Sequence, residues 1–309
     1  VTLTSTADVL LDNGLEINVR GGGGGNITIN AQNVGLLNAS QLRTGIATGL
    51  GTPDAQAGDI TINATGIVAI TNSSSISNAL LPASIGNAGD IKIATGSLYL
   101  NDGGQIFSRI FGKGDAGAIK ITANDTILLT GVNSQGFISG IYNRVESEAE
   151  GGSGGIEIAT GSLSLTDGAY IQGSTYGSGN AGNISINTKL LEGNGQFIIG
   201  SETSGQGNAG QVVVNATERI SLTGGIQIGI ISIVRKDATG NGGDIIINTP
   251  VLSLSNFAQL ATTTLGQGNA GNITIHATES ISLSQNSILQ AMTVGQGNAG
   301  KITIDAQEA

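Results

Sequence analysis

Cysteine and tryptophan are absent from the 309 residues, and proline occurs only 3 times. Without cysteine there are no disulfides and no thiolate metal sites. Aromatic residues are scarce at 3%. Charged residues make up 11%, about half the usual share of roughly 25%. The net charge is −10 and Lys and Arg nowhere cluster, which excludes nucleic acid as a partner, because phosphate binding needs grouped cations. No apolar run approaches the ~18 residues of a membrane-spanning helix. Residues 1–20 lack the basic start and apolar core of a signal peptide. The chain opens inside a repeat and is expected to be a segment of a longer protein.

What is present is glycine, 51 residues of it, and a 39% apolar content carried by Ile, Leu, Val and Ala. Low hydropathy with high charge, the signature of disorder, is missing. β-Branched residues mixed with turn formers predict many short strands. One stretch recurs throughout. Its plainest copy is Gly-Gln-Gly-Asn-Ala-Gly-Asn-Ile-Thr-Ile at 266–275, with relatives at Gly295–Ile304, Gly205–Val214, Gly177–Ile186 and Gly86–Ile93. The first apolar residue falls at Val1, Ile27, Ile60, Ile91, Ile119, Ile156, Ile184, Val212, Ile245, Ile273 and Ile302, at intervals of 26 to 37 residues. A second apolar pair follows, as in Leu98/Leu100 and Leu252/Leu254. A turn such as Asn101–Gly104 comes next. A third short strand is centred on Ile76, Ile106, Ile171, Ile198, Ile226, Leu260 or Leu289.

Three short strands with period-2 alternation exclude a helical repeat, and a unit of about 28 residues is too short for a propeller blade. The pattern predicts an all-β parallel β-helix over residues 1–309, about ten coils of three short strands, each strand pairing with its equivalents above and below. A slim interior of stacked Ile explains the few rings. After the first pair comes a corner, often Asn (Asn30, Asn63, Asn187, Asn215, Asn248), then Ala or Thr. A left-handed or hydrogen-bonded turn fits there. The extra length is expected at 44–56, 142–153 and 231–240, on one edge of the solenoid.

Chemical motifs weigh against catalysis. Gly-x-Gly-x-x-Gly occurs four times, but each copy leads into a strand, not into the helix that a pyrophosphate needs. Gly151–Gly155 matches a nucleophile elbow without its strand–turn–helix setting, and the only histidine, His276, is several coils away. Acids are scattered, so neither a catalytic nor a cofactor site is expected. A calcium spine would need an Asp in each unit; the slot holds Asp59, Asp90 and Asp244 but also Asn26, Ala118 and Lys301. The acidic run Glu146, Glu148 and Glu150 could hold a cation such as Ca2+ weakly. Tyr142, Arg144, Arg235 and Lys236 in the lengthened loops are the candidate ligand contacts. Charges in the column Thr28, Thr61, Lys92, Lys120 and Glu157 break the flat threonine ladder that ice binding requires.

The unit at 266–284 resembles the repeat region of filamentous-haemagglutinin-like exoproteins, in particular the large surface proteins of cyanobacteria. The resemblance covers nearly the whole chain. It implies a right-handed single-stranded parallel β-helix and a secreted or bacterial cell-surface location. It also implies two-partner export of the parent protein through an outer-membrane transporter. The expected role is a structural and adhesive shaft, a rigid spacer meeting glycans or matrix on a host or neighbouring cell. The alternatives are a carbohydrate-binding or carbohydrate-active β-helix, and a filament subunit associating end to end.

Overall fold

The computed structural model describes residues 1–225 and 228–306. Among these no helix occurs. The strands form three ladders of parallel pairs, coil upon coil, which is a β-solenoid of about ten turns. The first ladder contains eleven strands, from Thr2–Thr4 to Ile302–Ala306. Its register joins the recurrent apolar residues one to one: Ile27, Ile60, Ile91, Ile119, Ile156, Ile184, Val212, Ile245, Ile273 and Ile302 lie in a single column. At ~4.8 Å per step, eleven rungs span about 48 Å.

From Ile91 onward the first and second strands of a coil fuse into one long strand, as in Ile91–Asn101 and Val212–Gly224. The corner between them is a bulge. It is not left-handed: no corner Asn has a positive φ. The Asn side chains instead bond each other up the stack, Asn63 to Asn30, Asn215 to Asn187 and Asn248 to Asn215. The Ala or Thr beside them faces inward. Thr95, Thr160, Thr188 and Thr249 each donate a hydroxyl proton to the carbonyl two residues on, so the bend satisfies its own carbonyl. Left-handed residues occur at the next turn, before the third strand, at Asp102, Asp167 and Asn256.

The third ladder keeps Ile76, Ile106, Ile171 and Leu260 as inward strand centres and corrects the sequence reading at Ile198. The buried column is Leu42, Ile76, Ile106, Ile141, Ile171, Ile199, Ile230 and Leu260. Ile198 faces outward, with Ile199 inward, and Ile226 lies outside the described residues. The cause is Phe197, wholly buried opposite Ala169. Its ring occupies the space left by Gly193, which stands in register with Leu165; a β-carbon at 193 would overlap that ring. One large and one small residue have changed places across the core.

The recurrent Gly/Asn stretch has a direct physical role. Asn269 Oδ1 accepts the backbone N–H of Asn298, Asn241 Oδ1 that of Asn269, and Asn208 Oδ1 that of Asn241, at 2.7–2.9 Å. Asn272, Asp244 and Asn183 repeat the arrangement one corner further along. Each Asn or Asp thus caps the coil above it. The glycines between them lie backbone against backbone: at Gly268 (φ +134°) and at Gly271 a β-carbon would overlap the carbonyl of Gly240 and Gly243, respectively.

Inside, the main apolar core is separated from a second cluster (Ile46, Leu80, Ile110, Val145 and neighbours) by buried polar residues of the third ladder. Asn143 Nδ2 donates to Gly117 O at 2.8 Å, and its Oδ1 accepts the Gly154 N–H at 3.1 Å. Asn78 bonds two carbonyls, Gly58 and Gly89. Ser201 and Ser232 accept the N–H of Gly210 and Gly243. These side chains tether the Gly/Asn turn to the sheet across the interior.

The register also relocates the extra length. Of the expected 44–56, residues 47–56 form a turn and the strand Gly51–Gln56, while 44–46 belong to the third-ladder strand Gln41–Ile46. But Gly140–Val145 and Ile228–Val234 are third-ladder strands, so 142–145 and 231–234 are not loop. The largest growth lies at 131–139, before the third strand, where Val132 and Ile138 form an antiparallel bridge. The sequence places it late because the interval was measured between first strands alone, which does not say which corner grew.

Candidate functional site

Outward residues of the third ladder follow the same period of two. On Gln105–Ile110 they are Gln105, Phe107 and Arg109; on Gly140–Val145 they are Gly140, Tyr142 and Arg144. Register sets Phe107 beside Tyr142 and Arg109 beside Arg144. Tyr170, Gln172, Tyr176, Glu202 and Arg235 arrive from the next coils. With Gln105, Arg109, Tyr142 and Arg144 they line an open groove of about 410 Å³ on this face. The 131–139 loop forms one wall with Phe137 and Ile138. It is held there by Gln105 Nε2 and Tyr142 Oη, both donating to Ile138 O at 3.0 and 3.3 Å. Asn133 Oδ1 accepts the N–H groups of Gln135 and Phe137, fixing the loop's own turn.

Two guanidiniums meet rings on this face, in three contacts. Arg109 stands 4.7 Å from the centre of the Phe107 ring, and Arg144 is 5.7 Å from that of Tyr142 and 5.1 Å from that of Tyr176. All are within cation–π range. Arg144 Nη2 also donates to Gln172 Oε1 at 3.4 Å. Arg235 donates to the buried carboxylate of Glu202 at 2.8 Å, and that bond raises the Arg235 pKa. Arg109 Nε is 3.6 Å from Glu146, an ion-pair distance too long for a hydrogen bond. Burial lowers the Arg109 pKa, and the neighbouring charge of Arg144 lowers it further. Burial likewise raises the pKa of Tyr142 and Tyr176 above the ordinary phenol range, so both rings stay neutral at physiological pH.

Of the candidate contacts, Tyr142, Arg144 and Arg235 come together here. Lys236 does not: it lies on an exposed turn outside the groove. The acidic run disperses. Glu146 pairs with Arg109 and Glu150 with Lys113 at 2.9 Å, while Glu148 occupies a left-handed turn position. No group of three or more metal-ligating side chains forms among the described residues. Asp59 and Asp90 in the calcium slot accept backbone N–H groups and flank Lys92 at 2.8 and 3.2 Å, which raises the Lys92 pKa, the bond to Asp59 most. His276 stacks in the corner column, 3.4 Å from Asp305.

Sequence reasoning missed Arg109, Gln172 and Glu202. The signal was present: Phe107-x-Arg109 and Tyr142-x-Arg144 share one spacing, and only the phase of the third strand was lacking. Beyond Tyr176 the face becomes apolar, with Ile198, Ile231, Ile233, Leu265 and Met292 around a second groove of about 380 Å³. No family model matches this chain, and neither a curated protein nor a solved structure matches it.

Proposed function

We propose that the chain is a rigid, non-catalytic shaft segment of a secreted or cell-surface protein of the filamentous-haemagglutinin-like kind. It carries a binding face and holds it against glycans or matrix on a host or neighbouring cell. Two-partner export of the parent protein belongs to the same proposal. The observation that carries it is an aromatic and cationic groove borne on the side of an unbroken ladder of register-locked coils. A glycoside-cleaving site needs carboxyl groups free to act as acid and base or nucleophile. The two carboxylates at this groove, Glu146 and Glu202, are each engaged by an arginine. Aromatic faces and fixed guanidiniums suit retention of a ligand, not its turnover.

The test is incubation of the chain with a panel of neutral and acidic polysaccharides, assaying new reducing ends and unsaturated products. No product is expected. Turnover abolished by Glu146→Gln or Glu202→Gln would replace this reading with that of a carbohydrate-active enzyme.

A further inference from the structure

Arg109 and Arg144 are register partners, so their backbones lie ~4.8 Å apart along the stack. Like charges on adjacent rungs repel. Only Glu146 offsets this pair, and it approaches Arg109. Arg235 is matched by Glu202. Among the described residues Arg144 has no carboxylate within ion-pair distance; its polar contact is the neutral amide of Gln172. The groove therefore holds one uncompensated positive charge, in a chain whose net charge is −10. The surplus is local and runs against the protein as a whole.

The surroundings of Arg144 specify what would complete it. Tyr142 and Tyr176 and the Gln172 amide hold the guanidinium in place, so little ordering remains to be done on binding. The space over Gly140, between Gln105 and Tyr170 in the outward column, is filled by the buried Tyr142 ring, which backs the groove, while the half-exposed ring of Tyr170 lines it together with Arg144. A flat ring in the groove can stack on Tyr170. Gln172 accepts from Arg144 through Oε1, which leaves its NH2 to donate to a hydroxyl. Ring stacking, an amide for hydroxyls and a planar fork for an oxyanion are the complement of a sugar that bears an acid group.

We propose that this groove binds an anionic sugar ring within an acidic polysaccharide, its carboxylate or sulfate on Arg144 and its ring against Tyr170. This rests on the reading of the chain as a non-catalytic binding segment. The experiment is calorimetric titration of the whole chain with polygalacturonate, heparin and neutral dextran, at low and at physiological salt. Binding of a polyanion is expected, weakening with salt and falling at least tenfold in Arg144→Gln, with partial recovery in Arg144→Lys. Arg219→Gln, which alters an exposed arginine paired with Glu192 on another face, should leave it unchanged. Preference for polygalacturonate or heparin assigns the acid group as carboxylate or sulfate. Far-UV circular dichroism checks that each variant folds, and Tyr170→Ala, expected to weaken binding several-fold, serves should Arg144→Gln not fold. Absence of polyanion binding, equal binding by Arg144→Gln, or equal binding of dextran would overturn the inference. Cleavage of a bound polymer would instead overturn the non-catalytic reading on which it rests.

Discussion

Single residues carry more of this fold than their sizes suggest. Gly193 and Phe197 exchange the volumes held one coil earlier by Leu165 and Ala169. Phe197→Ala should therefore cost about 3–5 kcal/mol, and Gly193→Leu should destabilise by overlap with the ring. The double variant Gly193→Leu/Phe197→Ala rebuilds the preceding coil's pair and is expected to be more stable than either single variant. Denaturant unfolding of all four proteins closes the cycle, and strict additivity would refute the exchange. Gly268→Ala sets a β-carbon against Gly240 O at positive φ. It is expected to cost about 2–4 kcal/mol, read from the same measurement. Asn269→Ala removes one partly solvated hydrogen bond and should cost only about 0.5–1.5 kcal/mol. Equal losses at 268 and 269 would mean that steric stacking is not what the glycine provides.

At the scale of the strand and turn, the first two ladders were legible because their alternation is strict and their spacing nearly constant. From Ile27 to Ile302 each recurrent apolar residue named from spacing entered the predicted column. The third ladder was harder to phase. Its strands mix buried polar with buried apolar residues, so Asn143, Ser201 and Ser232, which face the core, interrupt the apolar alternation that sets the phase. The same mixing hid the groove: without the phase, Tyr142 and Arg144 could be paired with loops but not with Arg109, Gln172 or Glu202. Asn143 bonds both Gly117 and Gly154. Asn143→Leu leaves a buried carbonyl and a part-buried N–H without partners and is expected to cost about 2–3 kcal/mol. The loss should exceed that of Ile141→Val, about 0.5–1.5 kcal/mol, although both side chains are wholly buried. Hydrogen exchange should quicken at Gly154, the N–H it frees. Unchanged protection there would mean that the turn is held by other contacts.

For the molecule as a whole, one regularity governs shape and role. Coils are fixed to one another by three parallel ladders, by side-chain caps on the Gly/Asn turn and, at Asn78, Asn143, Ser201, Ser232 and Thr262, by a buried polar tether. Such a stack has no hinge in its ladder, and the groove keeps its geometry because its residues sit on consecutive rungs. A flexible string of coils could neither hold Arg109 against Arg144 nor act as a shaft. The chain has no cysteine, so Thr28→Cys/Thr303→Cys accepts two spin labels without background. These positions share one outward column, nine rungs apart, so their backbones should lie about 43 Å apart. Pulsed dipolar spectroscopy should return a single narrow distribution near that distance, unchanged by salt, with Thr28→Cys/Glu157→Cys giving about 19 Å from its four rungs. A broad or multimodal distribution, or distances that do not scale with the number of rungs, would contradict the rigid solenoid.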